Sequence, residues 1–313
     1  MNTLTRRIVL VFLAATITVS NREAMRLSER SNVDLVADMQ FEIDGVLNHH
    51  FGGPYGYRVL VPYSVHALST WSGITPTHVD WILQFLWVLI ALELMWAVSG
   101  RNHLIVALLA FYLVVCQSYI PGPSIAETQD VINLAVFLGF IHSHRKQHTL
   151  AAMLWMALGL LNKETPFALF IYLGYWLFVV GDRYARRISL PLIAIAIVTF
   201  VALHLAIPSS SGSWFQFKLL HTNFWGPYAL KNNLYALLLL APLIGSAVKS
   251  QLIKPSSFNR SILATVGFLI AVHYVFGVVR ELRLWLPVIA LLLIASGPFM
   301  RQLASPPAKS ELE

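Results

Sequence analysis

Three short stretches place charge beside long apolar runs. They are LNKETP with Lys163 and Glu164, VVRELRLWLP with Arg280, Glu281 and Arg283, and SNVDLVADMQFEIDGVL with Asp34, Asp38, Glu42 and Asp44. A fourth, GGPYGYRVLVPY, sets Arg58 among Tyr55, Tyr57 and Tyr63. Carboxylates facing cations at one surface suit transfer of a group from a phosphate carrier. A carboxylate takes the proton of an acceptor hydroxyl, and the cations neutralise the departing phosphate.

Each stretch also has a plainer explanation. Lys163 and Glu164 would then be a structural ion pair at a helix end and the acids of 34–44 the solvated side of a helix, while a snorkelling anchor would explain one of Arg280 and Arg283 but less easily both with Glu281 between them. Charge retained beside lipid costs about 3 kcal/mol on insertion scales, which favours a functional role. In SIAETQDVINL, Glu127 and Asp130 stand at i and i+3 of a helix start, where the dipole favours negative charge whatever the function. His66, His204 and His273 sit singly on apolar stretches and read as packed or hydrogen-bonded. The pair His49 and His50 is too local to define a metal site.

The elements that must position these groups are membrane helices. Hydrophobic residues make up 57% of the 313-residue chain and charged residues 12%, and mean hydropathy is +0.66. A soluble domain has about a quarter of its residues charged. The expected fold is all-α, a polytopic transmembrane bundle forming one integral membrane domain over 1–313. About ten spans are expected, at 8–20, 79–99, 104–120, 131–142, 149–162, 166–180, 188–207, 232–248, 261–279 and 284–300. Residues 8–20, with Arg6 and Arg7 before them, also mimic a signal peptide.

Between the first two spans lies an external loop of about 21–78. In it Leu35, Val36, Met39, Ile43, Val46 and Leu47 recur at helical spacing, with Asp34, Asp38 and Glu42 at i, i+4 and i+8. That pattern predicts an amphipathic interfacial helix, apolar side in the membrane and carboxylates outward. The aromatic cluster from Trp214 to Tyr228 reads as an interface belt.

Orientation follows from the basic residues. With the N-terminus cytoplasmic, Arg6 and Arg7, Arg101, Arg145 and Lys146, Arg183, Arg186 and Arg187, Lys249, Lys254 and Arg260, and Arg301 and Lys309 in the tail at about 301–313 share the inner side. That is more than half of the 22 Lys and Arg, a positive-inside bias. Of 15 acids, only Asp182, Glu311 and Glu313 fall there, and Glu93 lies near the inner end of a span. Net charge is +7, but the cations are scattered between apolar runs, so no nucleic-acid partner is expected. Cys116 is the single cysteine, which excludes an intramolecular disulfide and a cysteine metal cluster. There is no phosphate-cradling glycine loop, no H-E-x-x-H and no G-x-S-x-G, so nucleotide hydrolysis, metalloprotease and elbow-serine chemistry lack support.

One span, then an external loop with an acid-bearing helix, then YRVLVPY, GLLNKETPF and VRELRLWLP: this arrangement resembles the GT-C superfamily of polytopic membrane glycosyltransferases. The resemblance implies a sugar donor linked to polyprenyl phosphate and a glycan, lipid or protein acceptor of the cell envelope. It implies an inverting active site on the outer face of the cytoplasmic (inner) membrane. The catalytic base maps to Asp34, Asp38, Glu42 or Asp44, with Asp44 or Asp38 foremost. Lys163, Arg280, Arg283 and also Arg58 would hold the lipid phosphate, with Glu164 or Glu281 orienting them. The tail after residue 300 is shorter than the soluble C-terminal domain of many members. No resident metal is expected from ligand spacing, although interfacial carboxylates are able to hold Mg or Mn weakly. The competing classes are a transporter or lipid flippase, which would line a path through both leaflets with charge, and a non-catalytic envelope-assembly subunit, which would disperse it.

Overall fold

The structure, a computed structural model, describes residues 3–28, 35–50, 58–118, 124–207, 217–276 and 281–304. Side chains are described for these except 25–28, 35–38, 118, 124–126, 204, 217–220, 276 and 303–304. Every regular element among the described residues is helical. The order is α1 (Thr3–Ser28), α2 (Leu35–Leu47), α3 (Leu60–Ser72), α4 (Pro76–Val98), α5 (His103–Ser118), α6 (Ser124–Arg145) and α7 (Thr149–Asn162). There follow a 3-10 turn (Thr165–Ala168), α8 (Leu169–Gly174), a π-helical turn (Tyr175–Val180), α9 (Arg183–Ala206) and α10 (Phe217–Trp225). The chain then forms α11 (Ala229–Ile253), α12 (Ser257–Phe276), a second 3-10 turn (Leu282–Trp285), α13 (Leu286–Ala295) and α14 (Gly297–Ala304).

Among the described residues, five helices are long and apolar enough to cross a bilayer: Thr3–Ala24, Pro76–Val98, Arg183–Leu203, Ala229–Ile253 and Ser257–Val275. Leu190, Ile197 and Val198 on α9 and Leu237 and Leu238 on α11 are exposed, faces that lipid covers and water would not tolerate. This is the pattern of an all-helical membrane protein. Four further apolar helical segments are shorter, at His103–Gln117, Thr149–Asn162, Thr165–Val180 and Leu282–Ala295. Local geometry sets the limits. Asp182 caps α9 by accepting from the amides of Tyr184 and Ala185, both at 3.2 Å. Gly181, at φ 72°, supplies the left-handed residue that lets the chain reverse before it.

Two helices lie at the centre. Every residue from Glu127 to Ile141 on α6 is buried, as is every residue of α13. A helix apolar all round is a core helix, and α6 is enclosed by α2, α3, α4, α7 and α13. This explains how α6 can carry Glu127 and Asp130: their surroundings are protein. α2 forms where the periodicity predicts a helix. Its apolar residues Met39, Ile43 and Val46 are buried, and the helix packs on α3, α4 and α6, so protein rather than lipid covers that face.

Candidate functional site at one end of the bundle

The C-terminal ends of α1, α5 and α7 meet the N-terminal ends of α3, α4, α6 and the turn before α13, and polar side chains gather at that junction. α4 begins with Pro76 in its first turn, where a missing N–H does no harm, and places Asp80 and Gln84 one turn apart on its inner face. Asp80 is ion-paired with Arg22 at the end of α1 and accepts from Thr128 Oγ1 at 2.8 Å. Gln84 Nε2 reaches Glu127 Oε2 at 3.4 Å. Asn21 donates to Gln117 at the end of α5, and Gln117 donates to the Glu127 carbonyl at 3.2 Å.

Asp130, one turn beyond Glu127, is shared by two cations. Oδ1 accepts from Lys163 Nζ, and Oδ2 faces Arg283 Nε at 3.5 Å. Lys163 is delivered because α7 ends at Asn162, whose side chain donates to the Gln129 carbonyl at 2.7 Å and ties the helix end to α6. Arg283 is delivered by the 3-10 turn Leu282–Trp285, and its Nη2 also donates to Glu281 at 3.1 Å. Arg58, just before α3, bridges to Glu164 at 2.7 Å. Lys163, Asp130 and Arg283 are buried, whereas the Glu164 side chain keeps 43% of its surface open.

Burial holds the Lys163 ammonium below its ordinary value; the charges of Arg58 and Arg283 push the same way and Asp130 opposes them. For Glu164 burial alone would raise the carboxyl, but the Arg58 charge and hydrogen bond, its own backbone and Lys163 bring it below the usual value. Burial thus works against the Lys163 charge, whereas Arg58 favours the charged form of Glu164.

Among the residues singled out in the sequence, the structure brings together Arg58, Lys163, Glu164, Glu281 and Arg283. Glu42 and Asp44 lie on α2, both half-buried. Asp44 accepts from Gln40 at 2.9 Å, one turn back on the same helix. Asp34, Arg280 and the side chain of Asp38 lie outside the described residues, as does the start of the aromatic cluster at Trp214 and Phe215. Glu93 pairs with Arg6 at 3.4 Å at the opposite end of the bundle.

Arg22, Asp80, Gln84 and Gln117 were not legible as a site, and Glu127 and Asp130 looked like helix-start charges. The available signal was polar residues at helical spacing inside apolar spans, Asp80 with Gln84 and Glu127 with Asp130, whose insertion cost favours a buried partner. Among the described residues, no group of three or more His, Cys, Asp or Glu converges as metal ligands would.

An apolar groove of about 560 Å³ runs between α8 and α9, lined by Phe167, Phe170, Leu177, Phe178, Ile193 and Phe200 among others. It begins three residues from Glu164. Comparison with protein-family models, curated proteins and solved structures gives no match.

Proposed function

We propose that this protein is a membrane glycosyltransferase of GT-C type, moving a sugar from a polyprenyl-phosphate-linked donor to a cell-envelope acceptor at the extracytoplasmic face. The observation that carries this reading is the convergence of Lys163, Arg283 and Arg58 at one end of the bundle, with an apolar groove whose lining starts at Phe167, three residues after Glu164 in sequence. A lipid phosphate entering there exchanges with Asp130 for Lys163 and Arg283, and its hydrocarbon chain lies along Phe167 and Phe170. Arg280, which precedes Arg283 by three residues in sequence and lies outside the described residues, is the remaining candidate cation.

In transfer, a first-loop carboxylate takes the acceptor hydroxyl proton: Asp44 or Asp38, with Asp34 and Glu42 as the other candidates. The freed oxygen attacks the anomeric carbon. The sugar–phosphate C–O bond breaks with its electron pair going to the phosphate, and the cations neutralise that charge. The configuration at the anomeric carbon inverts. A divalent cation held by these carboxylates would assist the same charge neutralisation.

In this reading the shorter apolar segments and α6 complete about ten spans by tilting or meeting a locally thinned bilayer, α2 lies at the outer interface, and the N-terminus is cytoplasmic. Between Asn133 and Ser143, α6 presents apolar side chains apart from His142, and α13 is wholly apolar. That supports an enzyme with charge at one face over a transporter with a polar path.

The test is transfer by the purified protein in liposomes, supplied with a panel of polyprenyl-phosphate sugars and envelope acceptors. Lys163→Ala, Arg283→Ala and the fourfold neutralisation of Asp34, Asp38, Glu42 and Asp44 should each abolish turnover. Unchanged transfer in the fourfold variant would remove the base assignment. Solute or lipid movement without transfer would replace the enzyme by a transporter.

A further inference from the structure

The turn that carries Arg283 is held by one histidine, through both of its ring nitrogens. His273, near the end of α12, places Nδ1 2.6 Å from the Leu269 carbonyl on its own helix. Its Nε2 lies 2.7 Å from the Leu284 carbonyl. The ring also stacks on Trp285, with centroids 4.9 Å apart and planes at 21°. Leu284 and Trp285 are the two residues after Arg283, so the imidazole grips the turn by hydrogen bond and by stacking.

Both partner atoms are backbone carbonyl oxygens, which only accept. A neutral imidazole donates from one nitrogen and turns a lone pair from the other; the imidazolium alone donates from both. One of the two contacts therefore exists as a hydrogen bond only when the ring carries its second proton. Without that proton, a lone pair faces a carbonyl oxygen at under 3 Å and the pair must separate.

The charged groups nearest the ring are Lys163 and Asp130 of the cluster. Arg283 and Glu281 stand on the clamped turn, and α10 and α11 bring the uncharged Asn223 and Asn233 to this level, where Tyr274 donates to Asn233 at 2.6 Å.

Resting on the assignment of Arg283 to a phosphate, the geometry points to His273 as a positioning residue, a proton-dependent clamp that fixes Arg283 for an anionic lipid headgroup. With the ring doubly protonated, the Leu284 carbonyl is held, the turn is fixed and Arg283 stands ready beside Asp130. As pH rises and the second proton leaves, the turn loosens and the anion site loses order. The sequence alone gave His273 no more than a packed or hydrogen-bonded place on an apolar stretch. Contact with two acceptors from different elements is what gives it a charge-dependent role.

The experiment has two readouts on the whole protein in phosphatidylcholine nanodiscs. Histidine-selective ¹⁵N spectra across a pH series, with His273 assigned by its absence in His273→Gln, report the protons on the ring. Titration with farnesyl monophosphate over the same pH series reports the anion site. Expected are two protonated ring nitrogens at the acid end, loss of one as pH rises, and a parallel loss of farnesyl monophosphate affinity that is absent in His273→Gln. That variant keeps one side-chain donor but has no proton to lose.

A ring with a single protonated nitrogen throughout the range in which the protein stays folded would overturn the clamp. So would an affinity profile identical in wild type and His273→Gln. Failure of farnesyl monophosphate to bind at any pH would instead sink the phosphate assignment, and the ring spectra would still decide the clamp.

Discussion

Lys163 and Asp130, 33 residues apart in sequence, are bonded side chain to side chain in the interior of the bundle, and both are buried. Arg283 shares the same carboxylate, so Asp130 is the negative centre that lets two cations sit together out of water. Removing one cation leaves it paired with the other, whereas removing Asp130 leaves two like charges buried side by side.

Asp130→Ala should therefore destabilise more than Lys163→Ala, by about 3–5 kcal/mol, the range for breaking a buried pair from one side. The double variant should be less unstable than the two losses added. Denaturant unfolding in mild detergent reads all three. Equal losses in the two single variants would mean that Asp130 does not serve both cations.

The Arg58–Glu164 bridge is partly open and should contribute about 1 kcal/mol or less at neutral pH. Its pH dependence has a definite sign. The folded Glu164 carboxyl sits below its ordinary value, so its contribution is full above the unfolded carboxylate value and disappears as pH falls through the folded one. Melting temperatures of wild type and Glu164→Gln should differ near neutrality and converge in acid. A difference that widens in acid would reverse the assignment.

Close packing of α6 on α7 depends on Gly139. A Cβ added there would lie 2.2–2.6 Å from three ring atoms of Trp155, and Trp155 is itself set edge-on against Trp87 at 6.5 Å. Gly139→Ala should destabilise by about 1–3 kcal/mol, as overpacking does. Gly245 on α11 has nothing within 4 Å of its added Cβ, so Gly245→Ala should be neutral or stabilise by up to about 1 kcal/mol. Thermal unfolding of the two variants side by side checks the contrast.

The orientation argued from the basic residues is testable by labelling. Asn48 and Arg187 are exposed, and the native Cys116 is buried, so background reaction with an impermeant maleimide should be low. Asn48→Cys should label in intact cells and Arg187→Cys only after permeabilisation. The opposite pattern would place the charged cluster on the cytoplasmic side.

Composition and periodicity determined a good deal by themselves. Apolar runs made membrane helices unavoidable, the spacing of Met39, Ile43 and Val46 specified α2, and charges bordering apolar segments marked Lys163, Glu164, Glu281 and Arg283. What sequence left open was what surrounds each helix, because a lipid-facing and a protein-facing apolar residue read alike. Only tertiary packing showed that α6 and α13 are enclosed by other helices, and hence that Glu127 and Asp130, at the start of α6 as the sequence places them, are also interior groups. Only packing joined Arg22 to Asp80 across 58 residues and set His273 between two carbonyls. Such pairings depend on which helix ends meet, and a helical period fixes the face of a helix without naming its neighbour.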